Sequence, residues 1–301
     1  VNAIAAVKDP ALLGKSTLYV NLEPCSHYGK TPPCADLIIE KRVPRVVVAT
    51  LDPNEKVAGR GVERMRSAGV DVDVGVLAQE AWQLNRRFFT FHTQKRPYVV
   101  LKWAQTLDGF IDKVRSKDSP IQPNWITNRL ARVNVHKWRA AEDAIMVGRQ
   151  TAAKDNPRLN IREWTGNNPV RLVIDKDLQL PGDLHLLDQQ IETWVFNRKR
   201  DAAKGKIILK KIDFTRGNET VVRQILQQLY DAGLQSVFVE GGAATLQTFV
   251  QTGLWDEARM FVGNTFFRDG VKAPRLEQEE LVRQENFGHS KLFVFRKAVG
   301  T

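Results

Sequence analysis

Cysteine is nearly absent: two residues in a chain of 301, at positions 25 and 34. Two thiols within one short segment cannot build a disulfide scaffold, and such sparing use favours a reducing, cytoplasmic setting. No apolar run approaches the roughly 20 residues that a membrane-crossing helix needs. No secretory signal is visible. Internal repeats are absent, and no zinc-finger, homeodomain or basic-leucine spacing occurs. A Gly-x-Gly-x-x-Gly run is missing too, which removes the Rossmann reading. Methionine is missing from the start: the chain opens on Val1, so it is expected to begin inside a domain.

Positive charge, by contrast, is abundant. A formal net charge of +11 raises nucleic acid as a partner. The basic residues are scattered, however, with Arg198-Lys199-Arg200 and Lys210-Lys211 the densest groups. That distribution suits a phosphorylated small molecule better than a nucleic-acid backbone. The length allows two domains with a sizeable core each.

The pattern divides near the polar stretch Thr93-Gln94-Lys95-Arg96-Pro97, giving domains of 1–94 and 95–301. The first reads as alternating helix and strand: the end of a helix over 2–7, strands at 17–20, 46–50 and 70–76, and helices over 35–41 and 61–68. That is an α/β layer with crossover connections. The second has strand patterns at 144–147, 170–174, 193–196, 237–240, 258–262 and 292–296, after one starting at Tyr98. Its helices are predicted over 129–140, 219–232 and 244–252. The polar stretch 264–280 reads as a loop. Trp82 with Arg86-Arg87-Phe88-Phe89 reads as the end of an amphipathic helix rather than a basic aromatic groove.

Chemistry concentrates in four places. Cys25 follows Glu23-Pro24 and Cys34 follows Pro32-Pro33 at a predicted helix start, where the dipole and free N–H groups favour a thiolate. Two such thiols suit two ligands of a catalytic zinc, which takes three protein ligands and leaves one position for water. His27 lies between them, where it can as naturally face a substrate. In the second half, Lys102 to Gly109 is a strand running into an Asp-Gly turn. Next come a helix carrying Arg132 and Arg139, a buried strand, then Thr151, Asp155 and Asn156-Pro157-Arg158-Leu159 with Arg162. The planar forks of Arg139 and Arg162 suit a phosphate. Finally, Val237 to Thr245 runs a buried strand through Glu240, Gly241 and Gly242 into a helix start, a natural cradle for a pyrophosphate.

The run Asn21-Leu22-Glu23-Pro24-Cys25-Ser26-His27-Tyr28-Gly29-Lys30-Thr31-Pro32-Pro33-Cys34 resembles the deaminase half of the bifunctional riboflavin-biosynthesis deaminase/reductase family. The likeness continues through Leu51-Asp52-Pro53-Asn54 and Gly59-Arg60-Gly61, and the later clusters are similar to the reductase half over about 98–297. The resemblance implies a cytidine-deaminase-like three-layer α/β/α domain, incomplete in this sequence. A dihydrofolate-reductase-like α/β domain with a mixed, mostly parallel sheet follows. It implies zinc on Cys25 and Cys34, with the third ligand, a His, and the acid/base Glu placed just before Val1. It also implies NADPH at Ala104, Trp125, Thr151, Asp155 and the segment Gly242, Ala243, Ala244, Thr245, Leu246, Gln247 and Thr248. A phosphorylated ribosylaminopyrimidine substrate would meet Lys102, Arg139, Leu159, Arg162 and Glu240, and Asp155, Lys102 and Glu240 are the catalytic candidates.

The implied assembly is a cytoplasmic homo-oligomer, a dimer or tetramer, with no nucleic acid or membrane partner. The sequence departs from the family at Pro123, where a substrate-facing Ser is usual, and in a longer loop over 113–122. Two other readings compete: a nucleic-acid-directed cytidine or adenosine deaminase with an accessory domain, and a non-catalytic nucleotide-binding protein. Asp155 itself has two readings, proton delivery or simply capping the turn at Asn156-Pro157.

Overall fold

In the computed structural model the chain divides between Lys95 and Arg96 into two units, and residues 1–28, 32–54, 58–116, 118–277 and 279–298 are described. The first unit runs α1 (Asn2–Ala5), β1 (Thr17–Val20), α2 (Cys34–Glu40), β2 (Arg45–Val48), α3 (Arg60–Ser67), β3 (Asp71–Val74), α4 (Ala78–Leu84) and α5 (Arg86–Gln94). Its three strands are parallel in the order β1-β2-β3. Val46 and Val48 of β2 are fully buried, as a β-branched run at the centre of a covered sheet should be. Ala35 and Ile38 from α2 and Val62 and Met65 from α3 pack in the same cluster. The α3 helix stops at Gly69, whose φ of 86° suits glycine alone. Trp82 stacks on Phe89 with ring centres 6.0 Å apart, so the aromatic residues of α4 and α5 pack on each other. Gly29, Lys30 and Thr31, inside the segment bearing the two cysteines, lie outside the described residues.

The second unit runs β4 (Tyr98–Gln105), β5 (Phe110–Asp112), α6 (Arg129–Arg139), β6 (Ala144–Gly148), α7 (Arg149–Asp155), β7 (Val170–Ile174), β8 (Thr193–Asn197), β9 (Ala202–Lys204), β10 (Ile207–Lys211), α8 (Asn218–Asp231), β11 (Ser236–Val239), α9 (Ala243–Thr252), β12 (Glu257–Val262), β13 (Val271–Lys272), β14 (Glu279–Phe287) and β15 (Ser290–Lys297). Ten strands form one sheet in the order β14-β15-β12-β4-β11-β6-β7-β8-β10-β9. The run from β12 to β10 is parallel throughout, and β14, β15 and β9 join antiparallel. The sheet is therefore mixed and mostly parallel. Alternate residues of β4 divide between two cores: Val99, Leu101 and Trp103 face the layer with α8 and α9, whereas Tyr98 and Val100 face the layer with α6 and α7. No helix among the described residues is long and apolar enough to cross a membrane.

The stretch expected to be a loop over 264–280 differs. Val271–Lys272 forms β13 against β5, and β14 begins at Glu279. The residues of β13 and most of β14 are exposed, so neither carries the alternation that marks a half-buried strand. Helix α7, which carries Thr151 and Asp155, is likewise too short to show a helical period.

Backbone crowding fixes one wall of the second unit. A Cβ on Gly263, just after β12, would overlap the carbonyl oxygen of Ile126, a backbone atom that cannot swing aside. Gly263→Ala should therefore displace the segment around Trp125–Thr127 and cost about 1–3 kcal/mol, read as a lowered midpoint in urea unfolding. Unchanged stability would mean that this segment yields freely.

Candidate functional site

Three carboxylates hold the two candidate sites, each by a different device. In the first unit Glu23 is buried, and its side chain accepts four backbone N–H bonds. Oε1 takes those of Gly61 at 2.9 Å and Val62 at 3.2 Å, and Oε2 those of Gly59 at 2.9 Å and Asp52 at 3.2 Å. Two donors belong to the first turn of α3, where free N–H groups are available. The close approach needs Gly61, since a Cβ there would overlap the Pro24 carbonyl. Glu23 thus pins Pro24-Cys25 to α3.

Cys25 and Cys34 meet: the backbone N–H of Cys34 donates to the Cys25 Sγ at 3.3 Å. Burial pushes the Cys34 thiol up, and the hydrogen bond and charge interaction with Cys25 push it the same way. A shared dication would relieve that repulsion. The two thiols stand together, and among the described residues no group of three or more His, Cys, Asp and Glu stands close enough to hold a metal. His27 joins no such group. A cavity of about 830 Å³ opens beside them, lined by Glu23, Cys25, Cys34, Asp52 and Glu80 among others.

The second site lies at the carboxyl ends of β4, β11 and β6. Register places Leu101 beside Val239 and Val239 beside Met146, so Lys102 and Glu240 are neighbours in space. Glu240 is held in two ways: its N–H bonds the Met146 carbonyl at 2.9 Å, and its carboxylate takes a two-pronged ion pair from Arg139. Arg139 Nε and Nη2 reach the two oxygens at 2.6 and 2.7 Å, and Nη1 donates to the Asn160 carbonyl at 3.1 Å. Burial alone would raise the Glu240 carboxyl, but Arg139, by charge and hydrogen bonds, and Lys102 beyond it bring it down to about 2. Burial pushes the Lys102 ammonium the other way, below its ordinary value; Glu240 opposes this and Arg139 adds to it.

Two adjoining cavities share Lys102, Ala104, Thr151, Asp155 and Glu240 in their walls. The smaller, about 180 Å³, also takes Gly241, Gly242, Ala243 and Leu246. Gly148 donates its N–H to the Gly241 carbonyl at 2.9 Å, which brings the starts of α7 and α9 together. Of the segment expected to meet NADPH, Gly242, Ala243 and Leu246 line this cavity. Ala244, Thr245, Gln247 and Thr248 do not: Ala244 is exposed, Thr245 packs toward Gly148, Gln247 bonds the backbone of Arg275, and Thr248 bonds the Ala244 carbonyl. The larger cavity, about 580 Å³, is lined by Trp125, Leu159 and Arg162 as expected, and also by Arg132, Arg158 and His136.

Sequence reasoning gave no site role to those last three. Arg132 sits 4.5 Å from the centre of the Trp125 ring, and its Nε is buried without a hydrogen-bond partner. Burial and then the charge of Arg139 push the Arg162 guanidinium down, Glu163 opposes them, and Arg158 and Arg132 add to the push. Burial, then Arg139 and Arg162, push His136 down to about 4, so it is neutral near pH 7. Arg132, Arg158 and Arg162 form no ion pair with a carboxylate among the described residues, which leaves cationic capacity for an anionic ligand. Arg139 is spoken for by Glu240.

Asp155 ends α7, and its Oδ1 is bound by Arg115 Nη2 at 2.7 Å. The neighbouring Asn156 carboxamide accepts the N–H of His185 at 2.8 Å. Pro123 lines both cavities.

Removing Arg139 would leave Glu240 buried and unpaired. Arg139→Ala is expected to cost about 3–5 kcal/mol, with part recovered in the Arg139→Ala, Glu240→Gln double variant. The pH sign follows from the folded value of about 2 against an ordinary 4.5: the pair stabilises above pH 4.5, and its contribution fades as pH falls toward 2. Urea unfolding across that window should show the fade in the parent chain and not in Glu240→Gln.

Comparison with known proteins accounts for this arrangement. The family model for the RibD C-terminal domain matches residues 97–294. The riboflavin biosynthesis protein RibD of Aquifex aeolicus is 38% identical over 292 residues, covering 94% of this chain and 81% of the relative. The crystal structure of a diaminohydroxyphosphoribosylaminopyrimidine deaminase/5-amino-6-(5-phosphoribosylamino)uracil reductase from Thermotoga maritima matches with a TM-score of 0.83 at 35% identity, over 94% of this chain and 79% of that one. Acinetobacter baumannii RibD matches with a TM-score of 0.82 at 28% identity, over 97% and 83%. The second unit accordingly has the dihydrofolate-reductase-like architecture expected of it, and the chain belongs to the RibD family.

Proposed function

We propose that this chain is a bifunctional enzyme of riboflavin biosynthesis, with a zinc-dependent deaminase in the unit before residue 95 and an NADPH-dependent reductase in the unit after it. The first reaction is hydrolytic deamination of 2,5-diamino-6-(5-phosphoribosylamino)pyrimidin-4(3H)-one. The second reduces the ribosyl side chain to give 5-amino-6-(5-phosphoribitylamino)uracil. The observation that carries the reading is the convergence of Lys102, Thr151, Asp155, Glu240 and Gly241-Gly242 on one cavity at the carboxyl edge of a RibD-type sheet.

In the first unit Cys25 and Cys34 would hold two positions of a zinc ion, which when bound activates water for attack at the amidine carbon. Glu23 contributes rigidity: with four N–H bonds it has no acceptor capacity left for a substrate.

In the second unit bound NADPH supplies the hydride. Opening the ribosylamine also needs a proton on the oxygen released from the ring. Lys102 suits this step, because burial disfavours its ammonium and so favours release of a proton. Glu240, kept ionised by Arg139, acts on Lys102 through its charge, which opposes the effect of burial. Asp155 suits the step less well than its place in the sequence suggested, since Arg115 already occupies one of its oxygens. The phosphate falls to the arginines that have no carboxylate partner, Arg162 with Arg132 and Arg158, beside Trp125 and Leu159. Arg139 serves by holding Glu240.

Single-turnover oxidation of NADPH, run beside a nucleotide titration, tests the reading. Lys102→Met should slow hydride transfer by roughly a hundredfold to ten-thousandfold while NADPH affinity is kept. Arg162→Ala should mainly raise KM for the phosphorylated substrate, by about 10- to 100-fold, because a remote charge-assisted contact binds ground and transition states alike. Failure of the parent chain to bind NADPH would overturn the reductase reading. An equal effect of Arg162→Ala on a substrate lacking its phosphate would overturn the placement of the phosphate.

A further inference from the structure

The loop after β5 carries a residue that no sequence pattern singled out. Arg115 lies between an exposed Val114 and an exposed Ser116, yet its own side chain is only 7% exposed. Its two terminal nitrogens donate to four acceptors, while its buried Nε stands 2.9 Å from the Asp112 carboxylate as an ion pair without a hydrogen bond. Nη2 donates to Asp112 Oδ1 at 3.0 Å and to Asp155 Oδ1 at 2.7 Å. Nη1 donates to the carbonyls of Gln122 at 2.9 Å and Lys154 at 3.0 Å. Asp112 in turn takes the Asn124 carboxamide at 2.5 Å and the Lys113 N–H at 2.9 Å. One buried guanidinium therefore ties together Asp112 at the end of β5, the Gln122 carbonyl and the last turn of α7.

All these groups except Lys113 and Gln122 line the smaller cavity, beside Gly241-Gly242 and Thr151. The two oxygens of Asp155 are in different situations. Oδ1 is bound by Arg115, and Oδ2 has no hydrogen-bond partner among the described residues, in a residue that forms part of the cavity wall.

We propose that Arg115 is a positioning residue of the reductase site, which fixes Asp155 as an ionised acceptor with Oδ2 free for a hydrogen-bond donor of the bound nicotinamide nucleotide. An amide NH2 or a ribose hydroxyl is the chemical class that such an acceptor takes. The inference rests on the NADPH reading for the identity of the ligand, and on the geometry alone for the action of Arg115 on Asp155.

The charged groups facing Asp155 are Arg115 and Asp112 from β5 and its loop, and Lys154 from its own helix; Lys102 and Glu240 line the same cavity. Burial pushes the Asp155 carboxyl up, Arg115 pulls it back by charge and hydrogen bond, Asp112 pushes it up again, and Lys154 lowers it. Taking away Arg115 removes the largest opposing influence. Asp155 should then stay protonated to a higher pH, and the nucleotide should lose its acceptor over that added range.

The test is a carbon-13 NMR titration of the Asp155 carboxyl, assigned by its loss in Asp155→Asn, run beside an NADPH titration across the same pH range. In Arg115→Ala the carboxyl midpoint should move up. NADPH binding should weaken by about tenfold in the interval between the two midpoints, and by much less above both. Arg115→Lys, which keeps the charge but not the fork, should bring the Asp155 midpoint back toward that of the parent. Arg115→Gln, which keeps reach and hydrogen bonding without charge, serves if the alanine variant folds poorly, and it too should show the upward move. Titration of the nucleotide's own phosphates is common to all variants and drops out of the comparison.

An unchanged Asp155 midpoint in both neutral variants overturns the inference whatever the nucleotide does. Weakened binding that is equal at every pH, with no shift of midpoint, shows a loop support only and overturns it as well. A shifted midpoint in a chain that binds no NADPH upholds the action of Arg115 on Asp155 and overturns the cofactor reading instead.

Discussion

The two-pronged pair between Arg139 and Glu240 is the contact from which the reductase site is built. Glu240 follows directly on β11, the strand between β4 and β6 in the sheet. Arg139 ends α6, on the face of the sheet that Tyr98, Val100 and Phe238 also occupy. The pair thus joins a helix end to a strand end across the opening where ligands must enter. A charge buried without a partner would be intolerable there, so the position of α6 is set by electrostatics as much as by packing. Lys102 then sits beside a carboxylate whose charge Arg139 already shares. Burial is the physical origin of its weakened hold on its proton; Arg139 adds to it and Glu240 opposes it.

The same pair organises the cations around it. With Arg139 committed to Glu240, the arginines of the larger cavity divide into one that is neutralised and three, Arg132, Arg158 and Arg162, that are not. Mutual repulsion among them is a cost that the free protein bears and that a dianionic ligand would relieve. Neutral His136 fits this picture: a further positive charge in the cluster would worsen the repulsion, and its Nδ1 instead accepts the N–H of Arg162 at 3.4 Å.

Much of the fold could be read in the sequence because the central strands are buried on both faces. Runs such as Val46-Val47-Val48 and Ser236-Val237-Phe238-Val239 announce themselves by composition. Lys102, Glu240 and the glycines after it were also legible, since a buried strand running into charge and glycine is rare outside a site. What escaped notice escaped for physical reasons. The residues of β14 are exposed along most of their length and show no apolar alternation. Arg115 belongs to a polar loop with no period, and its importance comes from partners three to forty positions away. Arg132 was named only as a residue of its helix, because its stacking on Trp125 leaves no mark in the sequence. Sequence shows which residues are costly to bury; it does not show which distant partner offsets the cost.

Three buried or half-buried carboxylates illustrate how partner chemistry sets role. Glu23 spends both oxygens on four neutral backbone donors, an arrangement that fixes a loop and leaves nothing over for a ligand. Glu240 spends both on one guanidinium, which fixes it and lends its charge to Lys102. Asp155 spends one and keeps one. Only the third arrangement leaves a held, charged acceptor open to the cavity, and it does so because Arg115 approaches a single oxygen while its terminal nitrogens also donate to Asp112 and two backbone carbonyls. A guanidinium with five donors can fasten a loop and leave a neighbouring carboxylate half free, whereas a lysine with three donors on one point charge cannot span the same acceptors. The residue type at position 115 is therefore tied to the geometry of the loop it secures.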